Sequence, residues 1–107
     1  MALIATLSLT NNGTVSIPCK NSRNGKEASY TMIAYGTFGG GTLKAQVSAD
    51  NGVTYVDLIN NNDTVASTSG FAEDFYINSD PRNPVLLGFN LAGATAPSIT
   101  IRIYDTK

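Results

Sequence analysis

The chain has 107 residues and a formal net charge of −1, with 14% of its residues charged. That length makes one domain, residues 1–107, able to bury about two-thirds of its unfolded surface without staples. The charge balance offers no basic face for nucleic acid, and no stretch approaches the ~20 apolar residues of a membrane-spanning helix. One cysteine and no histidine exclude an internal disulfide, an imidazole-activated nucleophile and the usual zinc sites.

Met1 to Leu9 lacks the basic start and unbroken apolar core of a signal peptide, so the product is expected to stay in the cytoplasm or assemble there into something larger. Leu3, Ala5, Leu7 and Leu9 alternate with other residues, which predicts a strand with those four on one face. Asn11-Asn12-Gly13 is a turn signal. A three-residue loop there sets Leu9 opposite Val15 and Leu7 opposite Ile17, a hairpin with a G1 bulge at Gly13. Cys19 reads as a small buried side chain. The basic cluster Lys20, Arg23 and Lys26 reads as a solvated loop, the alternative being an anchor for phosphate or an acidic neighbour.

Glu27 to Tyr35 resumes as a strand with Tyr30, Met32 and Ala34 on one face and Ser29, Thr31, Ile33 and Tyr35 on the other. The far end of that second face is too apolar for plain solvent exposure, which predicts that something covers it. Gly36 to Gly41 contains Phe38 among four glycines. No Lys-Ser/Thr follows to make a phosphate cradle, so the run reads as a flexible connection.

Leu43 to Leu58 spells out a hairpin. Leu43, Ala45, Val47 and Ala49 alternate with Lys44, Gln46, Ser48 and Asp50, and Asn51-Gly52 is the pair best suited to a type I′ turn. That turn sets Val47 opposite Val56 and Ala45 opposite Leu58 on the buried side, with Gln46 opposite Asp57 and Ser48 opposite Tyr55 on the wet side. Thr64 to Thr68 is a short polar strand, and Phe71, Phe75 and Ile77 mark the next. Ser79 to Pro84 is a turn with two prolines. The apolar run from Val85 to Leu91 reads as a central strand. Ile99, Ile101 and Ile103 alternate with Thr100, Arg102 and Tyr104 in the last one.

Eight to nine short strands with regular turn signals and no helical periodicity predict an all-β antiparallel two-sheet sandwich of jelly-roll or immunoglobulin-like type. Its expected core is Leu7, Leu9, Val15, Ile17, Val47, Val56, Leu58, Phe75, Leu87, Phe89, Ile99, Ile101 and Ile103. Glu73 and Asp74, being neighbours on a strand, project to opposite faces and cannot form a general acid–base dyad. No enzyme activity and no cofactor are therefore expected. Asp57, Asn60, Asn62 and Asp63 are hard-cation donors without EF-hand spacing and read as turn residues, with calcium as the alternative.

The Gly-rich aromatic turn Phe38-Gly39-Gly40-Gly41 and the run from Ala45 to Val56, AQVSADNGVTYV, together with the closing stretch Leu86 to Ala94 into Ser98 to Tyr104, resemble small structural proteins of tailed bacteriophages. The resemblance is to head decoration, or cement, proteins and related head–tail adaptor or tail accessory proteins. It implies a non-enzymatic virion component that binds the major capsid protein and stiffens the head, as a symmetric homo-oligomer for which a trimer is one candidate state, without nucleic acid or membrane partners. Ile33, Tyr35, Phe38 and Tyr55 are the candidate protein-contact residues, because a simple sandwich leaves their side chains outside. The competing class is a carbohydrate-binding sandwich using Tyr35, Tyr55, Tyr76 and Tyr104 as stacking platforms.

Overall fold

The structure is a computed structural model and describes residues 2–19, 28–60, 63–77 and 85–105. Eleven strands account for nearly all of the regular structure: β1 (Ala2–Leu9), β2 (Gly13–Pro18), β3 (Ala28–Thr37), β4 (Thr42–Ser48), β5 (Val56–Asp57), β6 (Ile59–Asn60), β7 (Asp63–Thr64), β8 (Ala66–Ser67), β9 (Phe71–Ile77), β10 (Leu86–Ala92) and β11 (Ser98–Asp105). One sheet, here sheet A, has the order β1-β11-β3-β9. Sheet B has the order β2-β10-β4-β5, with β8 also paired to β4, and β6 and β7 form a small ribbon. All pairings are antiparallel.

The protein is thus an all-β, two-sheet antiparallel sandwich. If β5 to β8 are taken as one interrupted strand, the order in both sheets is that of an eight-stranded jelly roll, which decides between the two expected topologies. The chain behaves as one long hairpin rolled up around its midpoint. Val47 pairs with Val56 near the tip, Tyr30 with Phe75, Ile17 with Leu87 and Leu7 with Ile101, so every pair is roughly centred on the Asn51-Gly52 turn. Successive pairs alternate between the sheets, which is how one hairpin builds two layers.

The tip has the predicted register where Gln46 faces Asp57 and Val47 faces Val56, and the Leu58 N–H donates to the Ala45 carbonyl at 2.9 Å. The ladder stops at Val47 and Val56: Ser48 does not pair with Tyr55, and residues 49–55 form a longer loop in place of the expected two-residue one. Asn51 and Gly52 have φ of 62° and 90°, the positive pair that a type I′ turn requires. Burial departs from expectation at three places, Ala49 being exposed where the alternation put it on the buried face. Val56 is 59% exposed, on β5, the outermost strand of sheet B. Ser48, expected on the wet side, is buried under the 49–55 loop, where its Oγ accepts the Gly52 N–H at 2.9 Å and donates to Asp50 Oδ1 at 2.8 Å.

The expected β1–β2 hairpin is not formed. Leu9 pairs with Ile99 and Leu7 with Ile101 in sheet A, while Val15 pairs with Phe89 and Ile17 with Leu87 in sheet B. Residues 10–12 therefore carry the chain from one sheet to the other. Asn12 fixes that crossing: its Nδ2 donates to the Ala94 carbonyl at 3.0 Å and its Oδ1 accepts the Ala94 N–H at 2.9 Å. Ala94 lies in the link by which the other arm, β10 to β11, makes the same crossing, so one side-chain amide ties the two links together.

The core holds Tyr30, Met32, Leu43, Leu87, Phe89, Leu91, Ile99, Ile101 and Ile103, all essentially without solvent contact. Of the expected core, Leu7, Val15, Ile17, Val47 and Leu58 are half-buried against it. In β9 the backbone of Phe75 pairs with that of Tyr30 in β3, but the Phe75 side chain lies outside the described residues. So do Lys20, Arg23 and Lys26, the Ser79 to Pro84 turn, and Asn61 and Asn62 of the candidate calcium loop.

The glycine run is not slack. A Cβ on Gly39 would sit 2.2 Å from the Thr95 carbonyl oxygen, and one on Gly41 would sit 2.6 Å from Ala94 Cβ. The run is glycine because another stretch of backbone needs that space. The same loop crosses between sheets and drops Phe38 into the end of the sandwich.

Candidate interaction surface

The four candidate contact residues do not share a surface. Phe38 is 5% exposed and belongs to the core, so it is withdrawn from any contact role. The expectation failed because a loop joining two sheets can deliver its ring between them, which a loop within one sheet cannot do. Tyr55 is half-buried on the outer face of sheet B, where its ring lies over Gly88: a Cβ at Gly88 would fall 2.7 Å from Tyr55 Cε1. Ile33 (38% exposed) and Tyr35 (43%) stand on the outer face of sheet A.

Strand order gathers further residues around Ile33 and Tyr35. Rows across sheet A read Leu3, Tyr104, Thr31 and Asp74, then Thr6, Arg102, Ile33 and Ala72, then Ser8, Thr100 and Tyr35. The Arg102 guanidinium donates to the hydroxyls of Tyr104 and Tyr35, which raises its already high pKa. Thr31 Oγ1 donates to Asp74 Oδ1 at 2.6 Å at the rim. The outcome is an exposed surface of Leu3, Ile33 and Tyr35, with half-buried Tyr104 and exposed Arg102 beside them.

Sequence reasoning missed Leu3 and Arg102. Leu3 was assigned to the same face as Ala5, Leu7 and Leu9, but a bulge between Leu3 and Ala5 turns it to the outer face, where it is exposed. Arg102 and Tyr104 were legible as outward positions of the last strand. What put them beside Ile33 was the pairing of β11 with β3, across more than sixty residues of chain.

The outer face of sheet B is closed by its own polar groups. Gln46 Nε2 donates to Asp57 Oδ1 at 2.9 Å, Lys44 Nζ lies 3.5 Å from Asp57 Oδ2, and Asn90 Nδ2 donates to Thr14 Oγ1 at 2.9 Å. The amide of Gln46, with the Lys44 charge adding to it, holds the Asp57 carboxyl below the usual range. Glu73 pairs with Met32 on the inner side of sheet A and Asp74 with Thr31 on the outer side, so the two carboxylates are divided by the sheet. Burial pushes the Cys19 thiol up to about 11, partly offset by a hydrogen bond with Tyr30, so the thiolate is scarce at neutral pH. Among the described residues no cluster of three or more His, Cys, Asp or Glu side chains could hold a metal ion.

No protein-family model matches the sequence, and no curated protein matches it. Among solved structures, an exo-β-1,3-galactanase from Phanerochaete chrysosporium, crystallised with galactose, aligns with 94% of this chain at 16% identity and a TM-score of 0.36. The chain spans only about a quarter of that enzyme, 26% of its length.

Proposed function

We propose that this chain is a non-enzymatic virion structural protein of the head-decoration type, made in the host cytoplasm, which binds the major capsid protein and stabilises the head. The observation that supports this reading is the exposed surface of Leu3, Ile33 and Tyr35 on the outer face of sheet A. Apolar side chains clustered on one open sheet face suit burial against a partner. Aromatic anchors at the centre of an interface contribute about 2 kcal/mol or more each, whereas exposed ion pairs contribute little. The phage-like sequence run from Ala45 to Val56 and the closing strands point the same way.

The test is co-sedimentation with capsids assembled from the major capsid protein encoded nearest to this gene. Wild type should pellet with them, and an Ile33→Ala, Tyr35→Ala variant should bind roughly 30-fold more weakly, the equivalent of about one lost anchor. Equal binding by both, or none by wild type, overturns the reading.

A carbohydrate-binding module is the second reading, and one observation favours it: Tyr35 and Tyr104 flank Arg102 on one open face, where a sugar ring could stack while the guanidinium donates to its hydroxyls. Retention of wild type, but not Tyr35→Ala, on a glycan column without capsid binding would favour it.

A further inference from the structure

Among the described residues, the strands at one lateral side of the sandwich carry no charge. No charged residue precedes Lys20 in the sequence, and that uncharged stretch forms β1 and β2, the outermost strands of sheets A and B. The two strands lie against each other at the same side of the molecule. The opposite side is guarded by Glu73 and Asp74 on β9 and by Asp57 on β5, with Lys44 beside it. Free sheet edges present unpaired N–H and C=O groups, and proteins that stay monomeric blunt them with charges, prolines or bulges. Here the bulge affects only the start of β1, between Leu3 and Ala5, and Pro18 only the last residue of β2. Ala5 to Leu9 is left as a regular strand with no such device, and among the described residues nothing pairs with its outer side.

What fits an open strand edge is another strand. We propose that β1 pairs with β1 of a second copy, antiparallel about a two-fold axis at Leu7, so that the protein is a dimer in which sheet A runs continuously from one copy into the other. Side-chain parity requires the axis to pass through a residue, and Leu7 is the middle of the regular stretch Ala5 to Leu9. Centring on Leu7 sets Leu7 against Leu7, Ala5 against Leu9 and Thr6 against Ser8 of the second copy, inward residues with inward and outward with outward. Centring on Thr6 would set inward Leu9 against outward Leu3, beyond the bulge. Two-fold symmetry lets each copy satisfy the other's edge with the same residues. An axis normal to the sheets also brings the β2 edges together, covering the half-buried Ala5, Leu7, Val15 and Ile17 that line this side. The proposed dimer is an alternative to the trimer that the phage resemblance offers as one candidate state. It goes beyond the shell-binding reading and does not depend on it, since the proposed shell surface lies on the outer face of the sheet.

The test uses sedimentation equilibrium of the full chain and of Thr6→Lys, Ser8→Lys, two exposed positions whose lysines would face each other twice across the axis. Wild type should be a dimer at about 100 µM or below, and the lysine variant should dissociate at least 100-fold more readily, with an unchanged far-ultraviolet spectrum. Mixing it with Thr6→Glu, Ser8→Glu should restore a dimer containing one copy of each. Amide exchange on wild type gives an independent reading: the outward-pointing amides of Ala5 to Leu9 should slow as concentration rises. A wild-type monomer at that concentration, a trimer, a lysine variant that dimerises as well as wild type, or β1 exchange independent of concentration would each overturn the proposal.

Discussion

The outer faces of both sheets carry tyrosine, Tyr35 and Tyr104 on sheet A and Tyr55 on sheet B, yet they are finished differently. On sheet B the 49–55 loop folds back over the sheet, Tyr55 lies on Gly88, and Ser48 and Asp50 stitch the loop down. On sheet A no described loop returns over Ile33 and Tyr35, which stay exposed with Arg102 as their neighbour. An aromatic residue on an outward strand position is therefore not a contact residue by virtue of its position. What decides is whether the chain has a glycine beneath the ring and a loop long enough to lay the ring on it.

That difference can be broken most strongly at Gly88. Gly88→Val puts a branched side chain where Tyr55 Cε1 would be 2.7 Å from its Cβ, and the lifted loop should cost about 1–3 kcal/mol in urea denaturation. Ser48→Ala removes the buried hydroxyl that accepts the Gly52 amide and should cost about 1–2 kcal/mol by the same measurement.

A smaller effect concerns pH. The Thr54 amide, at 2.8 Å, and the Ser48 hydroxyl hold the Asp50 carboxyl below its ordinary pKa. Because the folded value is depressed, this contribution is complete above the usual carboxylate range, near pH 4, and is lost as pH falls from there through the folded value. Wild type should thus lose more stability on acidification over that window than Asp50→Asn, in paired thermal melts. Smallest of all, Tyr35→Ala should change stability by no more than about 0.5 kcal/mol. A large loss there would mean that sheet A's outer face is as structural as sheet B's.

The sequence by itself determined the all-β class and the strand register of the tip, Gln46 with Asp57 and Val47 with Val56, because alternation, an Asn-Gly turn and cross-strand pairing all act there within a short stretch; the 49–55 loop and the burial of Ser48 were decided by the tertiary structure. It also determined which face of β3 and β11 turns inward, since period-2 burial is a local property. Only the tertiary structure decided that Asn11-Asn12-Gly13 crosses between sheets instead of closing a hairpin, because its holding partner, Ala94, is 82 residues from Asn12. The candidate surface divides in the same way. Ile33 and Tyr35 were readable as outward residues of one strand, whereas Arg102 and Leu3 joined them through strand order and a bulge. Phe38 left the surface because its loop spans two layers. Backbone hydrogen bonding accepts any strand as a neighbour, so the choice of neighbour is made by burial summed over the whole roll, and no short stretch of sequence carries that sum.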